Sequence, residues 1–256
     1  KAEDEDENED EDEGCRRDRA PTTYYLLPSF RHGKINPMTY KAVIFDLDGT
    51  LLNTIEDLLD SMDVVLVEVG AAGHDVELAK LYVGDGLRNY VLRALPEAMR
   101  GDEAMVAGCC RRFAQEYAKR WSVKTRAYDG VAELLTELNR RHVPMAVLTN
   151  KPDEFTQVIV RKLLGQWQFA AVRGVGADGL KKPDPAGALA IAAALGILPG
   201  ECLYVGDTNT DMLTATAAGM FAVGATWGYR PAGELIAHGA KVLIDKPLQL
   251  LDLLDA

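Results

Sequence analysis

VIFDLDGTLLN, residues Val43 to Asn53, is an apolar run that stops on two aspartates, a glycine and a threonine. Its start has the hydrophobic continuity of a buried strand. Two carboxylates at such an end repel each other and lose hydration unless something neutralises them. On a strand, residues i and i+2 point to the same side, so Asp46 and Asp48 face one site at its carboxyl end. Gly49 and Thr50 turn the chain out of the strand. A divalent cation that favours hard oxygen ligands, such as Mg²⁺, makes the pair tolerable.

From Lys41 onward, short apolar runs alternate with amphipathic segments. Strands are expected at Ala42–Phe45, Pro144–Leu148, Ala170–Val175, Cys202–Val205, Phe221–Ala225 and Val242–Ile244. Helical patterns fall at Val131–Arg141, Phe155–Leu164, Ala186–Leu195, Thr210–Ala218 and Pro231–His238. This alternation predicts an α/β fold, a doubly wound, Rossmann-like parallel sheet with helices on both faces. Such sheets bind ligands at the carboxyl ends of their strands.

One region breaks the rhythm. Residues 55–126 carry helical patterns without a convincing strand. Thr54 followed by Asp57 reads as a capping box that opens a helix running toward Val69. Gly84 and Gly86 punctuate a loop, and Asp102 to Trp121 forms another amphipathic segment. Inserted just after the first strand, this region would sit over that strand's carboxyl end as a lid. The expected organisation is therefore an acidic, disordered leader over 1–39, an α/β core from 40–54 and 127–256, and a helical cap over 55–126.

Further polar groups converge on the same edge. LYVGDTNTD is another apolar strand, ending at Gly206 and Asp207, with Asp211 four residues later. Asn209 or Thr210 is expected to cap the following helix, which places Asp211 in its first turn. An acid there is also what the helix dipole alone favours. VLTN supplies the Thr149 hydroxyl and the Asn150 amide, and LKKPDP supplies Lys181 and Lys182 before a rigid turn. Beside four carboxylates and a cation, a lysine brings the positive charge that a phosphoryl group needs.

The 256 residues carry a formal net charge of −11, which argues against nucleic-acid binding. Much of that charge is local. Glu3 to Glu13 is almost entirely Asp and Glu, a low-complexity block expected to be disordered. No uncharged apolar run is long enough for a membrane-spanning helix, and the N-terminus lacks the pattern of a secretory signal. Cys15, Cys109, Cys110 and Cys202 show no metal-ligand spacing, so a reduced, cytoplasmic protein is expected. His32, His74, His142 and His238 show no pairing and are read as non-catalytic.

The order DxDGT, TN, KKPDP and GDxxxD resembles the haloacid dehalogenase superfamily, and the likeness runs from about Lys41 to the end. TNKPDEF, KKPDP, VGDTNTD and TWGYRP are most similar to its phosphoglycolate phosphatase branch. The resemblance implies that Asp46 is a nucleophile that takes the phosphoryl group, and that Asp48 serves as acid and then base. It implies Mg²⁺ held by Asp46, the backbone carbonyl of Asp48, and Asp207. Thr149, Asn150 and Lys182 would bind phosphoryl oxygens, with Asp211 orienting Lys182 or a metal-bound water. Dehalogenases and phosphonatases of the superfamily lack the second acid, so Asp48 argues for phosphoester chemistry.

The expected activity is hydrolysis of a small phosphorylated metabolite, 2-phosphoglycolate first among candidates. A phosphomutase of the β-phosphoglucomutase type is the nearest alternative. A non-catalytic protein that binds partners through its acidic tail is a second. Arg88, in the cap segment LYVGDGLRNYV, is a candidate for a substrate carboxylate or else a solvated ion pair. A monomer and a homodimer both remain open.

Overall fold

The computed structural model describes residues 25–26 and 40–255. Among these, seven strands form the main sheet. They are β1 (Tyr25–Leu26), β2 (Ala42–Phe45), β5 (Met145–Pro152), β6 (Ala171–Val175), β7 (Cys202–Gly206), β8 (Phe221–Ala225) and β9 (Val242–Ile244). Their order across the sheet is β1-β9-β8-β7-β2-β5-β6. All pairings are parallel except that of β1 with β9.

The central strands β2, β5 and β7 are buried nearly throughout, as expected of a sheet covered on both faces. One face carries α5 (Val131–Arg140) and α6 (Asp153–Leu163), whose Leu135, Leu138 and Ile159 pack with Val43, Phe45 and Val205. The other carries α7 (Ala186–Leu195) and α8 (Asn209–Ala217), whose Ile191, Met212 and Ala215 pack with Ile44 and Tyr204. This is the doubly wound core. A further helix, α9 (Ala232–Ala237), follows β8, and α10 (Leu250–Leu254) closes the described chain.

Between β3 (Leu52–Asn53) and β4 (Arg126–Ala127) the chain is helical, forming the cap. Its helices are α1 (Ile55–Glu68), α2 (Val76–Tyr82), α3 (Leu87–Ala94) and α4 (Glu103–Arg120). Met62, Val65 and Leu66 of α1 join Val91, Val106, Phe113 and Tyr117 in a core that continues into that of the sheet. β3 and β4 pair antiparallel, so the two crossings between cap and core are bonded to each other.

Three local expectations are corrected. Thr54 precedes α1 but makes no side-chain cap; its hydroxyl donates instead to Asp48 Oδ1 at 2.7 Å. Asp57, the other half of the expected capping box, accepts from Lys124 and Thr125 across the neck of the cap. A tertiary partner has outcompeted the local one in both cases. The cap of α8 is Thr208 rather than Asn209 or Thr210, because Asp211 at the third helical position accepts the Thr208 N–H. In the third case, within the leader expected to be disordered, Tyr25 and Leu26 form an edge strand against Leu243 and Val242. They lie in the uncharged, β-favouring segment TTYYLL rather than in the acidic block. The acidic block itself lies outside the described residues.

Candidate active site

Sheet register brings the two acidic motifs together. Phe45 of β2 pairs with Val205 of β7, and the Asp46 N–H donates to the Val205 carbonyl at 2.9 Å. Asp46 and Asp207 therefore leave adjacent strands at nearly the same level. Asp211 approaches from the first turn of α8, and carboxylate oxygens of Asp46, Asp207 and Asp211 all lie within 4.8 Å of one another. All three residues are buried.

Glycines make that crowding feasible. A Cβ on Gly49 would stand 2.2 Å from Asp207 Oδ2, and Gly49 also has φ +86°. Cβ atoms on Gly206 and Gly228 would come within 2.2 Å of Asp211 and Asp207 respectively. Asp207 is held at both oxygens, by the Thr50 hydroxyl at 2.7 Å and the Tyr229 N–H at 2.8 Å.

Lys182 is the cation of the cluster. Its Nζ lies 2.9 Å from Asp46 Oδ1 and 2.6 Å from Asp211 Oδ1. Lys182 is buried, whereas Lys181 is exposed. Burial alone would lower the Lys182 pKa, but Asp211 and Asp46 outweigh it and hold the ammonium well above its usual range. For Asp46, burial and the Asp211 charge push the carboxyl up to about 7 despite Lys182. Burial, then Asp46 and Asp211, push Asp207 well up. Three buried carboxylates thus face one lysine, which pairs with only two of them, and the shortfall of positive charge is what a divalent cation with oxygen ligands corrects. The residues fit such an ion.

The Asp48 side chain points elsewhere. Its oxygens accept from Lys151 Nζ at 2.9 and 2.8 Å, and Oδ1 also accepts from Thr54. Lys151 was not singled out by the motif reading, although TNKP places a lone lysine at a strand end. Its position depends on an irregularity in β5. Leu148 pairs with Arg173 and Pro152 with Val175, so Thr149, Asn150 and Lys151 together face Gly174 alone. A Cβ on Gly174 would lie 2.6 Å from the Lys151 carbonyl oxygen, so glycine admits the bulge.

Thr149, Asn150 and Lys151 line a cavity of about 50 Å³ with Asp46 and Asp48. Its remaining walls come largely from the cap and from α6, including Leu58, Val83, Leu87, Phe113, Tyr117 and Phe155. The Asn150 amide is engaged in structure: it donates to the Gly84 and Lys182 carbonyls, and its oxygen accepts the Lys182 N–H. It thereby ties the cap loop to the core and positions Lys182. Arg230 reinforces the tie by donating to the Leu81 and Val83 carbonyls. Arg88 is exposed and paired with Glu103 at 2.7 Å, outside the cavity wall. His74 and His238 bond backbone carbonyls of Ala94 and Glu234.

An α/β core under a helical cap, with an acidic cluster and a lysine at the strand ends, defines a hydrolase of the haloacid dehalogenase type. The family profile described as haloacid dehalogenase-like hydrolase matches residues 43–225, and the chain belongs to that family. Within it, the chain is 34% identical to phosphoglycolate phosphatase of Pseudomonas putida over 82% of its length and 78% of the relative's. Phosphoglycolate phosphatase of Xanthomonas campestris pv. campestris is 33% identical, covering 82% of this chain and 94% of its own. Among solved structures, a predicted phosphoglycolate phosphatase from Haemophilus somnus superposes with a TM-score of 0.77 at 28% identity. The match covers 84% of this chain and 98% of that one. Among the described residues, no helix is long and apolar enough to cross a membrane.

Proposed function

We propose that this protein is a Mg²⁺-dependent phosphatase that hydrolyses a small phosphomonoester, 2-phosphoglycolate foremost, through a phosphorylated Asp46. The observation that carries the proposal is Asp46 itself: a buried carboxylate 2.9 Å from a lysine, inside a three-carboxylate cluster and open to a small cavity. The names of the relatives supply the leading substrate.

In the first half-reaction an Asp46 oxygen attacks phosphorus, and the bond from phosphorus to the ester oxygen breaks. Asp48 gives its proton to that oxygen, releasing an alcohol. In the second, Asp48 takes a proton from water as the water oxygen attacks phosphorus, and the Asp46 carboxylate departs. The products are the alcohol and inorganic phosphate, and both aspartates return to their starting state. Lys182 and the Thr149 hydroxyl hold the phosphoryl oxygens, while Asn150 and Asp211 hold Lys182. Bound Mg²⁺, on Asp46, the Asp48 carbonyl and Asp207, would supply the charge that lets a carboxylate approach a phosphate dianion.

We take residues 55–126 as a cap that opens on the pair β3 and β4 to admit substrate and closes to exclude water. Free Cys109, Cys110 and Cys202 fit a reducing compartment such as the cytoplasm. The test is phosphate release from a panel of phosphomonoesters, with Mg²⁺ and with EDTA, by wild type and Asp46→Asn. Release that needs Mg²⁺ and vanishes in the variant is expected. Undiminished turnover by Asp46→Asn overturns the mechanism, and conversion of β-glucose 1-phosphate to glucose 6-phosphate without net phosphate release overturns the hydrolase assignment.

A further inference from the structure

The wall of the cavity beyond Asp48 has recognition chemistry that the phosphoryl-transfer machinery does not use. Lys151 is buried there, its side chain 4% exposed. Among the described residues it is the one cationic side chain lining the cavity. Its ammonium lies 4.8 Å from the centre of the Tyr117 ring. Tyr117 and Tyr90 also line the cavity, and both hydroxyls are buried without a hydrogen-bond partner. The neighbouring walls, Leu58, Leu87, Phe113 and Phe155, offer no polar side-chain atom.

Geometry links this corner to the leaving group. The reading above, on which this inference rests, sets the ester oxygen against Asp48. Lys151 Nζ is within 2.9 Å of both Asp48 oxygens, so the atoms next to that ester oxygen come within reach of the ammonium. An ammonium in an apolar pocket is costly unless an anion meets it. Asp48 alone must then serve both Lys151 and the ester oxygen. An anionic substituent on the leaving group removes the conflict, because it takes Lys151 while Asp48 turns to the oxygen. A carboxylate has a second oxygen to satisfy, and of the two unspent hydroxyls on the wall that of Tyr117 belongs to the ring that lies against Lys151.

We propose that Lys151, together with Tyr117, binds a carboxylate carried one carbon from the ester oxygen. The site then selects phosphate esters of short 2-hydroxy acids over esters of neutral alcohols of the same size. Lys151 is a specificity-determining residue, and the apolar walls restrict the acid to its small members.

The test compares 2-phosphoglycolate with its neutral isostere, the phosphate ester of glycolamide, at saturating Mg²⁺. Wild type is expected to prefer the acid by about 100-fold or more in kcat/KM, the scale of a site built around a polar group. Lys151→Met is expected to reduce that preference at least tenfold, mainly through KM. Tyr117→Phe, which removes only the hydroxyl, is expected to reduce it several-fold and decides the matter if Lys151→Met does not fold. Equal losses on both substrates in the folded variants overturn the proposal and leave Lys151 as a partner of Asp48 alone. A wild type that turns over both esters equally also overturns it, with the phosphatase reading intact. No Mg²⁺-dependent release from either ester or from the wider panel overturns the phosphatase reading itself.

Discussion

Asp57 Oδ2 accepts both the N–H and the hydroxyl of Thr125, 68 residues further along the chain, at 2.9 and 2.8 Å. The Lys124 N–H donates to the same carboxylate at 3.0 Å. One side chain in the first turn of α1 therefore fastens the segment that leads out of the cap. Asp57→Ala leaves these donors without a partner in a buried place, at a cost of about 2 kcal/mol or more. Thermal denaturation should show the loss, with Asp57→Asn less affected because its amide oxygen still accepts. Lys182 and Thr149 make no bond to Asp57, Lys124 or Thr125, so kcat should fall far less than stability.

Thr50 is not part of the cavity wall but orients Asp207 through its hydroxyl. Thr50→Val retains the shape and removes that bond. Partners of this kind commonly alter metal affinity by about 10–100-fold. A titration of activity against Mg²⁺ concentration should show a weaker apparent affinity of that size, with a smaller change in rate at saturation.

Gly228 and Gly233 provide a steric contrast in one loop and the helix after it. A Cβ at Gly228 would stand 2.2 Å from the Asp207 Cβ, whereas one at Gly233 meets nothing within 4 Å. Gly228→Ala should displace Asp207 and reduce kcat/KM by about 100-fold or more, the scale of losing a well-placed electrostatic group. Gly233→Ala should keep wild-type rates. Parallel steady-state kinetics with circular dichroism on both variants checks the contrast.

Glu116 of α4 is bonded to Arg112, Lys119 and Arg120 and also lies close to the cap core. Bonds from Lys119, Arg120 and Arg112 hold its pKa down at about 2. A lowered pKa in the folded state means that the unfolded state binds the proton more readily. The stabilisation is therefore full above the ordinary glutamate value and is lost as pH falls from there toward 2. Glu116→Gln should melt below wild type at neutral pH, with the two melting temperatures converging in acid.

The strands were legible because each is a short apolar run bounded by turn residues, and five of the six expected in the parallel sheet differ from the structure by at most one residue at either end. The exception, β5, runs on through Thr149, Asn150, Lys151 and Pro152. A polar stretch ending in proline does not look like a strand, and only the fit against Gly174 reveals why it continues. That Asp46, Asp207 and Lys182 gather at one edge of the sheet was legible because buried charge at strand ends has few structural uses. The place of Asn150 at that strand end was legible, but not its use as a clamp between Lys182 and Gly84, which depends on contacts distant in sequence. Thr54 and Asp57 show the same limit: a capping pattern describes local options, and tertiary partners chose otherwise.

The pairing of Leu52–Asn53 with Arg126–Ala127 sets the entrance and exit of the cap side by side. An insertion tethered in this way imposes no separation on its two ends, so its length and contents are free to change without pulling on the sheet. The strands that carry the acidic cluster and the cap are thus separable inheritances. A different set of helices grafted between Asn53 and Arg126 would meet the same acidic cluster, and new substrates become reachable without rebuilding the chemistry.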